Sequence, residues 1–272
     1  MTKYLLMYCW GPMQSWGGIA VGKMRPTDAV PTKSALVGLL SASLGIKRSK
    51  STDGVIQALG NGLEIAVRID SRGVKGADYH TAQVPQLQRG YRARTRYDEL
   101  ITSKKWGQES STILSTREYL QDAAFLIALR GRRQEGVAVQ IAERGELFNE
   151  DGSVSVDTVE KALSTPRFHL SLGRKSCAVG IPILPIVTEA PSFVDAMNQY
   201  PMEKLRTFLD VSGKIKTPIV PSIGETRQIV WEGDDLRLQP SKEIVRRDSI
   251  VSRARWQFDE RRENFGSVLI ES

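Results

Sequence analysis

An α+β fold follows from three observations in this 272-residue chain. Several separated segments alternate apolar and polar residues with a strand's period of two, and two segments between them carry helix start signals. Their order along the chain is strand, helix, strand, strand, helix, strand. No internal repeat interrupts it.

Tyr4 to Trp10 is rich in aromatic and aliphatic side chains and reads as the first strand. Gly11-Pro12-Met13-Gln14-Ser15-Trp16-Gly17-Gly18 can continue neither strand nor helix. Pro31 and Thr32 mark a helix start, with Thr32 as N-cap. Leu36, Val37, Leu39, Leu40 and Leu44 supply that helix's apolar face, and Gly45 supplies a left-handed C-cap. Leu63 to Asp70 alternates, with Leu63, Ile65, Val67 and Ile69 on one side, as a half-buried strand does. Residues 71 to about 117 hold no sustained apolar pattern and are rich in Gly, Arg, Lys, Tyr and Gln; they read as a long basic hairpin. Strand character returns over Tyr119–Leu129 and again near Gly136–Ala142. A short helix fits Val156 to Leu163, capped by Ser155, and Phe168, Leu170 and Leu172 form the last strand of the unit. This is the split βαβ arrangement of a ferredoxin-like or RRM-type domain, whose sheet can offer one open face to RNA. Prolines 182, 185, 191 and 201 then mark a change of texture. The expected division is residues 1–180 as the main domain and 181–272 as a smaller β-rich portion. Strands are expected at Gln228–Trp231 and Glu243–Val251, and a frayed tail after Trp256.

No apolar run approaches the roughly 20 residues needed to cross a bilayer. Met1 to Trp10 lacks the pattern of a secretory signal. Cys9 and Cys177 lie far apart and read as two buried thiols in a reducing compartment, so a soluble cytoplasmic protein is expected. Net charge is +7, and its distribution matters more than its size. Lys23 to Lys50 holds six basic residues against one acidic, and Arg68 to Lys105 nine against four. Clustered cations are what phosphate binding needs, because each neutralised phosphate releases counterions. A solvated loop face is the ordinary alternative for each cluster.

Pro31-Thr32-Lys33-Ser34 sits at a helix N-terminus, where free N–H groups favour an anion, but it lacks the Walker A frame. Gly173-Arg174-Lys175-Ser176 puts two cations and a hydroxyl on a turn after a strand. Gln14-Ser15-Trp16-Gly17-Gly18 offers an indole beside amide and hydroxyl donors. The alternatives are a capped helix, an exposed turn, and a tryptophan lid over the core. Arg92, Arg94 and Arg96, flanked by Tyr91 and Tyr97, would share a face if extended and suit the phosphates of a single strand. The only two histidines, His80 and His169, are 89 residues apart. No metal-ligand spacing and no nucleophile elbow is present, so no metal, cofactor or catalytic residue is assigned.

Several of these blocks together resemble one family. They are Gly11–Gly17, Arg25-Pro26-Thr27, Pro31–Leu40, Asp78-Tyr79-His80-Thr81, Thr116-Arg117 through Phe125, and Pro166–Cys177. The chain is similar to the CasD subunits of type I-E CRISPR Cascade complexes, members of the RAMP superfamily. That resemblance implies a modified RRM core, a long β-hairpin thumb at 71–117, and a non-catalytic protein capping the 5′ handle of the CRISPR RNA. It implies as neighbours a backbone subunit and the large subunit that reads the PAM, with target DNA contacted only through the complex. Gln14, Ser15, Trp16, Arg25, Thr32, Lys33, Ser34, His80, Arg92, Arg94, Arg96, Arg117, Arg174, Lys175 and Ser176 are the expected RNA contacts. The rival expectation is a metal-independent endoribonuclease using Tyr79, His80 and Lys175, as in the related type I-C subunit. Residues near 71–117, 130–153 and 200–225 exceed what a compact family member needs.

Overall fold

The computed structural model describes residues 1–85, 90–91, 93–107, 110–136, 141–142, 145–209 and 220–271. In chain order its elements are β1 (Thr2–Trp10), β2 (Met13–Gln14), β3 (Met24–Arg25), α1 (Lys33–Leu44), α2 (Asp53–Asn61), β4 (Leu63–Ser71) and β5 (Val74–Pro85). Next come α3 (Arg96–Lys105), β6 (Ser110–Gln121), β7 (Ala124–Gly131), β8 (Ile141–Ala142), β9 (Gly145–Glu146) and α4 (Val156–Ser164). The rest are β10 (Ile186–Ala190), α5 (Phe193–Asn198), α6 (Met202–Leu209), β11 (Thr226–Trp231), β12 (Lys242–Ser252) and β13 (Gln257–Leu269).

Seven strands form one antiparallel sheet in the order β10-β1-β7-β4-β11-β13-β12. β1 lies inside the sheet, between β10 and β7, and is apolar on both faces because both faces are covered. Leu5, Met7 and Cys9 point into a core shared with α1, α2 and α4. Tyr4, Leu6 and Tyr8 point the other way, into a core built with α5, α6 and Trp231. Tyr4 meets Phe193 edge-on at 5.2 Å and Tyr8 stacks on Tyr200 at 6.3 Å. The open sheet face expected for RNA is therefore filled by residues 181–272. For the same reason β4 is not half-buried: Arg68 and Asp70, on its second face, form a buried bidentate pair at 2.7 and 3.1 Å.

α1 forms where its signals predict. Thr32 caps it by accepting from the Ala35 amide, and Gly45 ends it at φ 79°. Ser155 likewise caps α4. Three expectations need correction. Phe168 to Leu172 is not a strand; its neighbours bridge only at Ser171–Ala178 and Ser15–Gly173, and the strand that follows α4 into the sheet is β10. The segment after Trp256 does not fray but forms β13, thirteen residues paired on both sides. Of the strand expected at 136–142, Ile141–Ala142 pairs with Gly145–Glu146, and residues 137–140 lie outside the described residues.

The basic segment is a hairpin. β5 and β6 pair from Val74–Gln121 to Pro85–Ser110, with α3 between them. β2 and β3 flank β6 and fasten the hairpin's base to the loops after β1.

A cluster of buried charges locks the last strands to α1. Lys33 is 6% exposed; its Nζ donates to Glu232 at 2.7 Å and to the Leu63 carbonyl at 2.9 Å. Its backbone N–H donates to Asp248 at 2.7 Å. Arg261 pairs with Glu232, Asp248 and Glu263 at 2.9, 2.6 and 2.8 Å, and Arg246 pairs with Glu263 at 2.6 Å. Removing one partner of such a set leaves buried charge uncompensated. Lys33→Met is expected to lower unfolding free energy by about 3 kcal/mol in urea denaturation, the low end for breaking a buried pair.

Candidate nucleic-acid interface

The glycine-bearing loops named in the sequence converge. Ser15 bridges Gly173, and its amide donates to the Leu172 carbonyl at 3.0 Å. The Trp16 amide donates to Thr27 Oγ1 at 2.9 Å, and Thr32 Oγ1 donates to the Trp16 carbonyl at 2.9 Å. Arg174 reaches across to the carbonyls of Glu118 and Arg25, at 3.1 and 2.7 Å, and lies over the Tyr119 ring. Gly173 makes this possible. At φ +88° a Cβ would fall 1.7 Å from the Ser15 carbonyl oxygen, so no other residue allows the approach.

Several expected contacts prove to be framework instead. Gln14 is fully buried, donating to the Ala123 carbonyl and accepting from Trp16 Nε1 at 3.0 Å. Trp16 is 1% exposed and packs edge-on against Phe125, the lid role. Ser15, also buried, donates to the Glu118 carbonyl at 3.2 Å. Thr32 is consumed by the cap and Lys33 by Glu232. These five cannot present their side chains to RNA. Ser34 is half-buried and lines the groove described below.

On the hairpin, Arg117 lies opposite both Asp78 and Arg25, and His80 opposite Ser115. His80 Nε2 is 3.9 Å from Asp78. Arg25 is exposed, its guanidinium turned onto the carbonyls of Gly22 and Met24. Arg94 is exposed, but Arg96 opens α3 and is held by Glu99 and the Gln83 carbonyl, so Arg94 and Arg96 do not share an extended face. Arg92 lies outside the described residues.

The converged loops form one wall of a groove of about 1760 Å³. The opposite wall is β12 with the turn into β13, and the floor is the exposed side of α1. Lys175 and Ser176 stand exposed on the Gly173 turn, and His169 is exposed beside them. Lys47 lies 5.9 Å over Phe168, whose ring is 40% exposed. Arg48 and Arg253 lie 4.7 and 4.6 Å over the indole of Trp256. None of Lys47, Arg48, Phe168, Arg253 and Trp256 was singled out from sequence as a contact. Lys47 and Arg48 were within the basic count at 23–50, but the partners that make them a site come 120 to 200 residues later.

Asp53, at the start of α2, holds the far wall. Its carboxylate accepts from Ser252 Oγ and from the amides of Arg253 and Ala254, at 2.6, 2.6 and 3.0 Å. The Ser252 hydroxyl, then the Ala254 and Arg253 amides, lower its pKa below the usual aspartate value. Among the described residues no group of His, Cys, Asp and Glu is placed to hold a metal, and no helix is long and apolar enough to cross a membrane.

A model of the CRISPR-associated protein family Cas_Cas5 matches residues 4–263. The chain belongs to the Cas5 family. It is similar to the CRISPR system Cascade subunit CasD of Escherichia coli strain K12, at 33% identity over 191 residues, covering 67% of this chain and 70% of that protein. Among solved structures, one described as a CRISPR RNA-guided surveillance complex superposes with a TM-score of 0.59 at 21% identity, over 98% of this chain and 90% of that one. A second, a crystal structure of a Cas protein, gives 0.53 at 24% identity, over 98% and 95%. Both share the fold with this Cas5 chain.

Two outcomes follow from the geometry of the Cas5 groove. Gly173→Ala is expected to part the Ser15 and Gly173 loops, lowering the melting temperature and exposing 172–177 to protease. For Asp53 the folded pKa is lowered, so its contribution is present above the ordinary aspartate value and lost as pH falls through the folded one. The protection factors of the Arg253 and Ala254 amides, measured against their intrinsic exchange rates, are expected to fall as pH drops through the folded pKa, and Asp53→Asn is expected to reproduce that loss of protection at pH 7.

Proposed function

We propose that this protein is a non-catalytic subunit of a CRISPR Cascade surveillance complex that holds the 5′ handle of the guide RNA in the groove between the Gly173 loop and the β12–β13 turn. The observation that carries the reading is the groove itself. It has a volume of about 1760 Å³ and is lined by exposed cations, Lys47, Arg48 and Lys175 among them, with two exposed aromatic rings, Phe168 and Trp256. Such a surface tracks a phosphate backbone and tolerates stacked bases. Family membership and the likeness to CasD support the Cascade assignment.

In this reading, β1-β7-β4 with α1 and α4, in residues 1–180, form the ferredoxin-like, RRM-type core of the RAMP proteins, and β10 (Ile186–Ala190), beyond that boundary, supplies its fourth strand. The β5–β6 hairpin is its thumb, folding over the strand with Arg94 and Arg117 at hand. Residues 181–272 are the β-rich portion, which closes one sheet face and builds the far groove wall. Arg25, Ser34, His80, Arg174, Lys175 and Ser176 remain proposed RNA contacts, joined by Lys47, Phe168 and Trp256. Partners are the backbone subunit and the large PAM-reading subunit, with target DNA reached through the complex, in the cytoplasm.

The chain is expected to bind a 5′-handle RNA with a log–log salt slope of about −0.7 per phosphate contacted. Lys175→Ala is expected to weaken binding and flatten the slope by about 0.7 without altering the melting temperature. A slope near zero overturns the reading. Incubated with repeat RNA in EDTA, the protein is expected to leave it intact. Discrete cleavage that disappears in His80→Ala would establish the endoribonuclease instead.

A further inference from the structure

Arg48 and Arg253 come from segments two hundred residues apart, the loop between α1 and α2 and the turn between β12 and β13, yet both guanidiniums lie over one indole, Trp256. Arg253 also lies 5.6 Å over Phe258. Neither makes an ion pair with a carboxylate among the described residues, whereas nearby Arg246 and Arg261 are fully engaged by acids. The carboxylate that holds the turn from α2, Asp53, is spent on backbone amides and Ser252. Burial lowers the pKa of Arg253, and the charge of Arg48 lowers it further, as befits two like charges without a counterion. Placing such a pair costs electrostatic energy that an anion between them would offset.

Arg253 is fixed rather than loosely solvated, while Arg48 is exposed. The Asp53 carboxylate holds the Arg253 backbone at 2.6 Å. The Arg253 side chain runs along α1 beside Gly38, where a Cβ would stand 3.7 Å from Nη2. Cation–π contact with Trp256 orients both guanidiniums. A guanidinium presents its donors in a planar fork that matches phosphate oxygens.

Resting on the RNA-binding reading above, we infer that Arg48 and Arg253, both held against Trp256, clamp a single phosphodiester of the bound RNA in the groove. This is a second anchor, distinct from the Gly173 turn, and it fixes where along the groove the backbone must pass. The shared chemistry is a phosphate anion, so free phosphate is the competing source.

The test uses the full chain and a set of handle RNAs, each with one phosphate replaced by a neutral methylphosphonate. Wild type is expected to lose at least tenfold in affinity for one such RNA, and Arg48→Ala/Arg253→Ala to lose as much for natural RNA with its salt slope flattened by about 0.7. Combining the two changes is expected to cost nothing further, because both remove the same contact. Arg48→Lys/Arg253→Lys, which keeps the charge without the fork, is expected to fall between. Additive losses at every position, or an unchanged slope in the double alanine variant, overturn the clamp while leaving RNA binding standing. Failure of wild type to bind any handle RNA overturns both. Inorganic phosphate alone is expected to leave the melting temperature unchanged. If it stabilises wild type but not the double variant, while RNA affinity is the same for both, the pair is a free-anion site and the inference falls. Equal melting temperatures of variant and wild type show that the fold is intact.

Discussion

Lys33 carries a formal charge to a place that water barely reaches, and moving an ammonium group there costs several kcal/mol unless partners surround it. Desolvation accordingly lowers its pKa, and Glu232 opposes that shift. The partners are Glu232, just after β11, Asp248 on β12 and the Leu63 carbonyl on β4, so the N-terminus of α1 and these strands must be built as one piece. Arg261 joins the same acids and stays charged, its pKa raised by Asp248, Glu232 and Glu263 despite burial. The two walls of the groove are the Gly173 loop, which leans on α1 through Trp16 and Thr32, and the β12–β13 turn. The charge cluster therefore ties both walls to the N-terminus of α1.

A second constraint is the loss of the open sheet face. β1 has no polar side between Tyr4 and Cys9, so no orientation of the sheet leaves a face for a ligand. The groove proposed for binding is walled instead by loops and by β12 with the turn into β13. Glu118 accepts from the Thr27 amide at 3.2 Å and pairs with Lys75 at 2.7 Å, joining the hairpin to the loop that holds Trp16.

Local signals were legible in the sequence. The caps Thr32, Gly45 and Ser155 act within a few residues, and the period of β4 is intrinsic to it. The glycine-bearing loops were identified as a set, because turn chemistry is also local. What local pattern could not show was sidedness. Lys33 reads as a cation at a helix start whether it meets RNA or Glu232, 199 residues away. Gln14 and Trp16 satisfy each other only once Ala123 and Phe125 lie beneath them. β13 is dense in charge and reads as a solvated tail, but Arg261 and Glu263 are buried by pairing with residues elsewhere. Trp256, in a left-handed turn conformation that few non-glycine residues adopt, gives no sign of that turn in sequence.

The strand order also imposes a sequence of events on the growing polypeptide. β1, β7 and β4 can pair once residue 131 has emerged, but the second sheet face stays bare until α5 and α6 arrive. Lys33 waits still longer, for residues 232 and 248, and the acids there wait for Arg261. The groove is thus the last part of the molecule to exist. A ribosome-bound chain could hold a nearly complete hydrophobic interior and still lack the groove, so under the proposed function only finished copies would seat an RNA.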